Sequence, residues 1–290
     1  MADVRCIWEA RAELGEGVTY FSDENAVWWV DILGQKVFRI DLATGAREQW
    51  DTPETVACVT KRASGEMLLL LKRSLCALNA RTGEISPYLE FETEPDRNRF
   101  NDGCVDAKGR LWVGSMDFDF QEPTGFLYRV EPNKQIVTAD QGYVVLNGPA
   151  FSPDGATLYA NETMKGQIFA FDCDPDTGSL DNKRLFAQVG ENDGLPDGLT
   201  VDSQGGIWVA LVTAGKVRRY LPDDTIEREI TVPSPTVTSV CLGGADLKTL
   251  FITTGRILMD EDVLAQHPLS GSLFAVDVEI AGQPAAMFRG

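Results

Sequence analysis

Short apolar runs recur at regular intervals along the chain, separated by polar residues and glycines. Six runs begin 40 to 49 residues apart, at positions 27–30, 67–70, 111–113, 158–160, 207–209 and 250–252. Runs of three or four apolar residues between turn residues are typical of buried β-strands. The pattern therefore predicts six copies of one unit, each containing a buried strand.

A second segment, in which apolar and polar residues alternate, follows most of these runs. The second segments are residues 36–41, 74–78, 125–130, 167–172, 216–220 and 272–277. Turn residues such as Gly45, Gly83 and Gly178 come next, and glycine supplies the backbone angles that hairpins need. One such unit cannot bury both of its faces, whereas six units packed in a ring can. We therefore expect an all-β fold, a six-bladed β-propeller.

Two other all-β arrangements contain many short strands, namely a pair of β-sandwiches and a β-helix. A sandwich does not require so regular a repeat, and the coils of a β-helix are shorter than this one. No linker or low-complexity tract divides the chain, so we expect a single domain over residues 1–290. Helical signal is confined to residues 260–266, where we expect a short helix.

Composition and charge narrow the class of partner. Of the 290 residues, 43% are hydrophobic and 24% are charged, which is ordinary for a globular protein. The formal net charge of −18 repels nucleic acid and anionic membranes, so we expect neither as a partner. No apolar run approaches the roughly 18 residues of a membrane span, and none follows Met1 as in an export signal. We therefore expect a cytoplasmic protein.

Cysteine and histidine usage excludes several kinds of active site. The six cysteines are widely scattered without a CxxC pair, as expected for free thiols in a reducing compartment. His267 is the only histidine and lies in a loop-like segment, which argues against a Ser-His-Asp or Cys-His hydrolase. Histidine-rich transition-metal sites are excluded as well, so any metal must be held by oxygen ligands.

A polar residue recurs at one position of the repeat. Asn101, Asn147 and Asp197 each lie eight residues before a turn glycine that precedes an apolar run. Counting in the same way gives one candidate in each of the other units. They are Glu16 (or the residue beside it) in the first unit, Ala57 in the second and, less clearly, Ser239 in the sixth. Because inner strands of a propeller share one channel, we expect these side chains to converge at its mouth.

Glu16, Asn147 and Asp197 would bring two carboxylates and an amide oxygen together. Hard oxygen donors of this kind suit Ca²⁺, Mg²⁺, Mn²⁺ or another divalent ion. Without a cation the two carboxylates would repel each other, and at least one pKa would be raised. Each Asn-Gly or Asp-Gly pair alone favours a turn, but their shared register favours a common site. Asp154 has the same Pro-Asp-Gly context as Asp197 but is out of register, so we assign it to a turn.

Several segments resemble the gluconolactonase/regucalcin (senescence marker protein) family, and within it the bacterial aldonolactonases. The segments are residues 14–17, 99–103, 147–149, 152–155, 196–198, 243–244, 250–254 and 268–274, and they occur in the family's order with matching gaps. The resemblance implies a six-bladed propeller with one catalytic divalent cation at the channel mouth.

The same resemblance implies roles for individual residues. Glu16, Asn147 and Asp197 match the metal ligands, and Arg99 and Asn101 match positions that contact substrate. We interpret Asp102, in the same segment as Arg99 and Asn101, as loop support.

The function implied is hydrolysis of a sugar lactone to the aldonic acid, for example xylono-, arabino-, galactono- or gluconolactone. The cation, one of Ca, Zn, Mn, Mg or Fe(II), would polarise the lactone carbonyl while Asp197 assists attack by water. The partner expected is a small sugar lactone, and the protein is expected to be a monomer or weak oligomer. The alternatives are a related propeller esterase or phosphotriesterase, and a non-enzymatic calcium-binding or interaction propeller.

Three loops depart from the family pattern. Residues 18–20 are Val-Thr-Tyr where the family usually has Pro and Trp, and residues 161–163 and 212–215 also differ. These loops flank the mouth, so they bear on substrate identity more than on the type of reaction. Residues 116–120 are compatible with a lid, a pocket wall or a plain connecting loop.

Overall fold

The computed structural model describes residues 3–290, and its named strands form six four-stranded antiparallel sheets. The N-terminal strand is β1 (Arg5–Trp8). Blade 1 contains β2 (Gly15–Phe21), β3 (Ala26–Asp31), β4 (Lys36–Asp41) and β5 (Arg47–Asp51). Blade 2 contains β6 (Cys58–Lys61), β7 (Met67–Leu70), β8 (Ser74–Asn79) and β9 (Glu84–Glu90). Blade 3 contains β10 (Asn98–Val105), β11 (Leu111–Asp117), β12 (Gly125–Val130) and β13 (Ile136–Tyr143).

The remaining blades follow the same plan. Blade 4 contains β14 (Leu146–Phe151), β15 (Thr157–Glu162), β16 (Gln167–Cys173) and β17 (Leu180–Gln188). Blade 5 contains β18 (Leu195–Val201), β19 (Ile207–Val212), β20 (Lys216–Tyr220) and β21 (Ile226–Thr231). Blade 6 contains β22 (Val237–Gly243), β23 (Thr249–Thr254), β24 (Leu273–Asp277) and, as its outermost strand, β1. The predicted six-bladed β-propeller is confirmed.

The second and third strands of each blade lie where the apolar and alternating segments predict them. The apolar runs are central to β3, β7, β11, β15, β19 and β23, whose side chains are almost entirely buried. They pack into clusters that join one blade to the next, as where Trp28 of blade 1 and Leu69 of blade 2 share a cluster. Burial between blades is the main stabilising contribution, because apolar area is removed from water on both faces of each sheet.

The first strand of each blade lines a central channel, and these six strands are called the inner strands. Their first residues lie at one end of the channel, called the mouth, and their last residues lie at the other. Inside is a cavity of about 160 Å³ whose lining includes Thr60, Cys104, Thr200 and Cys241. The channel therefore holds a small, partly polar space between its two ends.

The C-terminal segment, residues 279–290, crosses the end of the channel away from the mouth. The Gln283 side chain donates 3.1 Å hydrogen bonds to the carbonyl oxygens of Phe151 and Val201, the last residues of two inner strands. Farther along, the backbone of Phe288 bonds to Lys61, and Arg289 bonds to the turn at residue 109. The segment thereby ties four blades together and covers the channel end opposite the mouth.

Two side-chain expectations can be compared with the structure directly. All six cysteines are free, as expected. His267 directly follows a short helix, α1 (Glu261–Gln266). The Asp260 carboxylate caps the first turn of this helix. Within residues 3–290, no helix is long and apolar enough to cross a bilayer.

Candidate active site

The inner strands of five blades carry an irregularity in pairing near the mouth. The register against the second strand shifts after Glu16, Phe100, Asn147, Pro196 and Val237. A bulge of this kind leaves residues out of the ladder and redirects their side chains. The candidate residues therefore lie at bulges where the inner strands begin.

Glycines at two bulges account for the Glu-Gly and Asn-Gly pairs. Gly17 and Gly148 have φ of 57° and 53°, a left-handed conformation that favours glycine. A Cβ added to Gly148 would lie 2.7 Å from a side-chain carbon of Leu199, so a larger residue would clash with the next blade. Asp154, in contrast, lies in an exposed turn as expected. The pairs near the mouth are strand bulges rather than hairpin turns.

Three buried carboxyl groups, those of Glu16, Asp102 and Asp197, lie near the mouth. Burial raises the pKa of Glu16 well above its ordinary value, and the negative charges of Asp197 and Asp102 raise it further. Burial likewise raises the pKa of Asp197, and the negative charge of Asp102 raises it further. The structure thus brings together two carboxylates that lie 181 residues apart in sequence, in blades 1 and 5. In the metal-free protein such carboxylates hold protons to an unusually high pH.

Arg99 and the two predicted amides form a connected group in blades 3 and 4. The Arg99 guanidinium donates a 2.7 Å hydrogen bond to Asn101 Oδ1 and a 3.0 Å bond to the Phe100 carbonyl. Asn101 Nδ2 donates to Asn147 Oδ1 at 2.5 Å. Burial lowers the Arg99 pKa to about 10, while Glu16 opposes this shift. The buried guanidinium therefore remains charged at neutral pH and faces the carboxylates.

Thr163 links this group to blade 5, and its part was not expected from the sequence. Asn147 Nδ2 donates to Thr163 Oγ1 at 2.8 Å, and that hydroxyl donates to the Pro196 carbonyl at 2.8 Å. Pro196 directly precedes Asp197, so the contact connects the blade 4 amide to the blade 5 carboxylate. The sequence singled out residues 161–163 only as a departure from the family pattern.

Asp102 lies in the inner strand of blade 3 rather than in a loop. Its carboxylate accepts hydrogen bonds from the backbone N–H groups of Gly103 at 2.7 Å and Gly148 at 2.8 Å. The second contact supports the bulge that follows Asn147, so Asp102 braces the neighbouring blade. Burial raises its pKa to about 6, although both N–H groups favour the charged form. Asp102 therefore adds negative charge to the mouth as well as support.

One side chain of the segment at residues 116–120, Phe118, lies beside Arg99. Met116 and Asp117 belong to β11, and the buried Asp117 carboxylate accepts a backbone N–H from Glu122 that shapes the following loop. The ring of Phe118 lies 5.9 Å from the Arg99 guanidinium carbon and is 41% exposed. Phe118 therefore lies beside a residue predicted to contact substrate.

The position assigned to Ser239 in blade 6 is shifted by one residue. Leu242 pairs with Leu250, the first residue of the apolar run, and counting back four residues gives Thr238. The connection between these two paired leucines is longer than the equivalent one in blade 5, where Val201 pairs with Ile207, and this extra length displaces a count made from the turn. Thr238 donates its hydroxyl hydrogen to the Gly15 carbonyl, beside Glu16.

The donor atoms at the mouth fit a divalent cation. Glu16 and Asp197 supply carboxylate oxygens, and the orientation of Asn147 directs its amide oxygen toward Asn101 at the centre of the group. Within residues 3–290, no group of three or more His, Cys, Asp or Glu side chains is arranged to hold a metal ion. A site here would therefore need the amide oxygen beside the two carboxylates. Paired buried carboxylates are costly unless a proton or a cation neutralises them, so the donor set fits.

Comparison with protein families then identifies the chain's relatives. Residues 14–256 match the family model described as the SMP-30/Gluconolactonase/LRE-like region. The chain belongs to this family. The resemblance predicted from the sequence motifs is confirmed.

Members of the SMP-30/gluconolactonase family align with nearly the whole chain. Regucalcin of Danio rerio is 32% identical over 99% of this chain and 98% of its own length. The 6-deoxy-6-sulfogluconolactonase of Pseudomonas putida is 32% identical over 99% of both chains. A crystal structure described as a calcium-binding protein, regucalcin from Agrobacterium tumefaciens, superposes with a TM-score of 0.95 at 26% identity, covering 100% of this chain and 98% of that one.

Two of the segments that depart from the SMP-30/gluconolactonase pattern, residues 161–163 and 212–215, make hydrogen bonds that support the neighbouring backbone. Glu162 accepts hydrogen bonds from the backbone N–H groups of Val144 and Val145, the residues that lead into the inner strand of blade 4. In the other departing loop, the backbone N–H of Gly215 bonds to the carbonyl of Pro235 and connects blades 5 and 6. Both loops therefore hold the backbone around the mouth.

Proposed function

We propose that the protein is a metal-dependent sugar lactonase that opens an aldonolactone, such as xylono-, arabino-, galactono- or gluconolactone, to the aldonic acid. The observation that carries the proposal is the pair of buried carboxyl groups of Glu16 and Asp197, close enough to raise the Glu16 pKa, together with the oriented amide of Asn147. A family member of the same length and 32% identity is named as a sugar lactonase, which supports the same class of reaction.

In this proposal Glu16, Asn147 and Asp197 hold one divalent cation. Oxygen donors alone favour Ca²⁺, Mg²⁺ or Mn²⁺, while Zn²⁺ and Fe²⁺ remain candidates to be tested. When bound, the cation supplies positive charge that stabilises the oxygen anion formed during ester hydrolysis. The description of a regucalcin structure as calcium-binding is compatible with such a site.

Asp197 is the proposed general base. Lactone hydrolysis requires a proton to leave the attacking water, and a carboxylate within hydrogen-bond reach can accept it. The Asp197 side chain is buried at the mouth, where its second carboxylate oxygen can lie beside the attacking water. The chemistry needs neither histidine nor a serine nucleophile, in agreement with the single histidine of the chain.

Arg99 and Asn101 are the proposed substrate contacts. The bonds from one guanidinium nitrogen to Phe100 and Asn101 hold Arg99 in one orientation beside the carboxylates. Its other nitrogens can donate to the hydroxyl or carbonyl oxygens of a sugar ring. Phe118 would cover one side of that ring.

The test is a pH-indicator assay on a panel of five- and six-carbon aldonolactones. Protein treated with EDTA is assayed alone and with added Ca²⁺, Mg²⁺, Mn²⁺, Zn²⁺ or Fe²⁺. We expect at least one lactone to be opened well above its spontaneous rate, with activity lost in EDTA. If no lactone and metal combination exceeds the spontaneous rate while Ca²⁺ still binds, the protein is instead a calcium-binding propeller.

A matched pair of variants tests Asp197. Asp197→Ala should abolish turnover, because the site loses both a ligand and the base, while the circular dichroism spectrum remains that of the wild type. Asp154→Ala is the control, since Asp154 has the same Pro-Asp-Gly context but lies in an exposed turn. Wild-type turnover by Asp197→Ala, or equal losses in both variants, would show that the assignment is wrong.

A further inference from the structure

A continuous chain of hydrogen bonds runs across three blades at the mouth. It passes from Arg99 to Asn101 at 2.7 Å, to Asn147 at 2.5 Å, to Thr163 at 2.8 Å and to the Pro196 carbonyl at 2.8 Å. The four side chains of this chain are buried, with exposed fractions between 3% and 7%. Water therefore has little access to these side chains and cannot readily replace their hydrogen bonds.

The two ends of the chain determine the direction of every bond in it. Arg99 can only donate, so Asn101 must present its oxygen to the guanidinium and its NH₂ group to Asn147. At the other end the Pro196 carbonyl oxygen can only accept, so the Thr163 hydroxyl must donate to it. Asn147 lies between these fixed directions. Its oxygen must face Asn101, and its NH₂ group must face the Thr163 hydroxyl.

We propose that Thr163 is a positioning residue that fixes the amide of Asn147 with its oxygen toward the proposed metal site. The inference rests on the proposed function, because it requires Asn147 to be a ligand. An Asn side chain can rotate by half a turn and present NH₂ instead of oxygen, and an NH₂ group repels a cation. Thr163 opposes this rotation by accepting from the NH₂ group.

The backbone around Thr163 holds the hydroxyl in place. Thr163 begins a 3-10 turn (Thr163–Lys165), and its N–H donates to the carbonyl of Val145 at 3.1 Å. The turn is closed by Gly166, whose φ of 64° lies in the left-handed region. Thr163 is thus attached to the segment that leads into Asn147 as well as to Pro196. Through these contacts the blade 4 and blade 5 ligands share one rigid support.

The hydroxyl group of Thr163 can be removed without changing the size of the side chain. Thr163→Val keeps the branched shape but removes the hydroxyl, leaving the Asn147 NH₂ group and the Pro196 carbonyl without partners. Thr163→Ser keeps the hydroxyl and should retain the chain. Thr52→Val is the matched control, since Thr52 is 6% exposed and donates to the Glu54 carbonyl at 2.7 Å, away from the mouth.

The experiment is a calorimetric titration of EDTA-treated protein with Ca²⁺ and with Mn²⁺, in the absence of lactone. Removal of a group that orients a metal ligand commonly weakens affinity by roughly 10- to 100-fold, and we expect Thr163→Val to do so. Thr163→Ser and Thr52→Val should bind as the wild type does. Circular dichroism checks the fold first, and Thr163→Ala replaces Thr163→Val if the latter does not fold.

The outcomes separate this inference from the function on which it rests. Wild-type affinity in Thr163→Val, with a wild type that binds metal and opens lactones, overturns the positioning role alone. Equal weakening in Thr163→Val and Thr52→Val also overturns it, because the effect would then be general. The metal site and the positioning role are overturned together if the wild type binds neither Ca²⁺ nor Mn²⁺ in the titration and no added ion stimulates lactone opening.

Discussion

The three carboxyl groups at the mouth make the stability of the metal-free protein depend on pH in an unusual direction. The perturbation is removal of divalent ions by EDTA, followed by a change of pH from about 4 to about 7 across the range in which Asp and Glu titrate. Glu16, Asp102 and Asp197 all have raised pKa values in the fold. Each therefore holds its proton more tightly in the folded chain than in the unfolded chain.

The sign follows from which state binds more protons. Well below pH 3.8, Asp102 is protonated in both the folded and the unfolded chain. The tighter binding of the proton by the folded chain then contributes fully to stability. As the pH rises from 3.8 to about 6, the unfolded chain releases its proton first, so this contribution is lost. The directions given for Glu16 and Asp197 add to this loss and extend it to higher pH.

The size of the effect can be worked out for Asp102. A rise from 3.8 to about 6 corresponds to about 3 kcal/mol of unfolding free energy, at 1.36 kcal/mol for each pH unit. For 290 residues the entropy of unfolding is about 0.6 kcal/mol/K, so the melting temperature should fall by about 5 °C. A cation held by Glu16, Asn147 and Asp197 would stabilise the charged form of the neighbouring Asp102 and so reduce this penalty.

The assay is differential scanning calorimetry of the metal-loaded and EDTA-treated protein at several pH values. Comparing the two forms cancels the titration of carboxylates elsewhere on the surface. We expect the gap in melting temperature to widen by at least about 5 °C between pH 4 and pH 7. In Asp197→Asn the gap should nearly vanish because a ligand is gone. Parallel melting curves for the two wild-type forms across this range would refute the reasoning.

Two further predictions concern the ends of the channel. Gln283→Ala removes two partly buried hydrogen bonds to carbonyl groups, so guanidinium denaturation should show a loss of about 1–3 kcal/mol of unfolding free energy without a change in lactone KM. The exposed Gln204→Ala is its control, and an equal loss there, or a raised KM for Gln283→Ala, would contradict this assignment. Phe118→Ala should raise lactone KM by about 2- to 5-fold through loss of the contact with Arg99, worth roughly 0.5–1 kcal/mol. Phe120→Ala, a neighbouring ring that is 47% exposed, should not, and equal effects would exclude a specific role for Phe118.

The parts of the fold that could be predicted from the sequence are those buried on both faces. Strands β3 and β7 are continuous apolar runs, and short runs of this kind between turn residues are typical of strands covered on both sides. The outer strands were not predicted, because a strand such as β5 is largely exposed and carries no apolar alternation. The closure of blade 6 by β1 was also missed. That pairing joins residues about 270 positions apart, such as Arg5 and Ala275, and local pattern contains no signal for it.

The candidate site could be located from the sequence because equivalent positions of a repeat share one backbone geometry. That argument selected Glu16, Asn147 and Asp197 without any knowledge of distance. It assigned Asp102 to a loop because a residue that braces another strand looks like any turn Asp in sequence. Thr163 was missed for a related reason, since its hydroxyl acts through Asn147 on a neighbouring strand.

Divergence at one repeat position accounts for the chemistry of the mouth. Blades 1 and 5 place carboxylates there, blades 3 and 4 place amides, and blade 2 places Ala57. Because each inner strand approaches the axis in the same way, any residue at this position points toward the others, and its identity alone decides the donor it contributes. The amides are useful only if their oxygen and NH₂ ends are distinguished, and the hydrogen-bond chain from Arg99 to Pro196 supplies that distinction. The ring of blades thus sets where the donors meet, and the bonds between blades set which atoms they present.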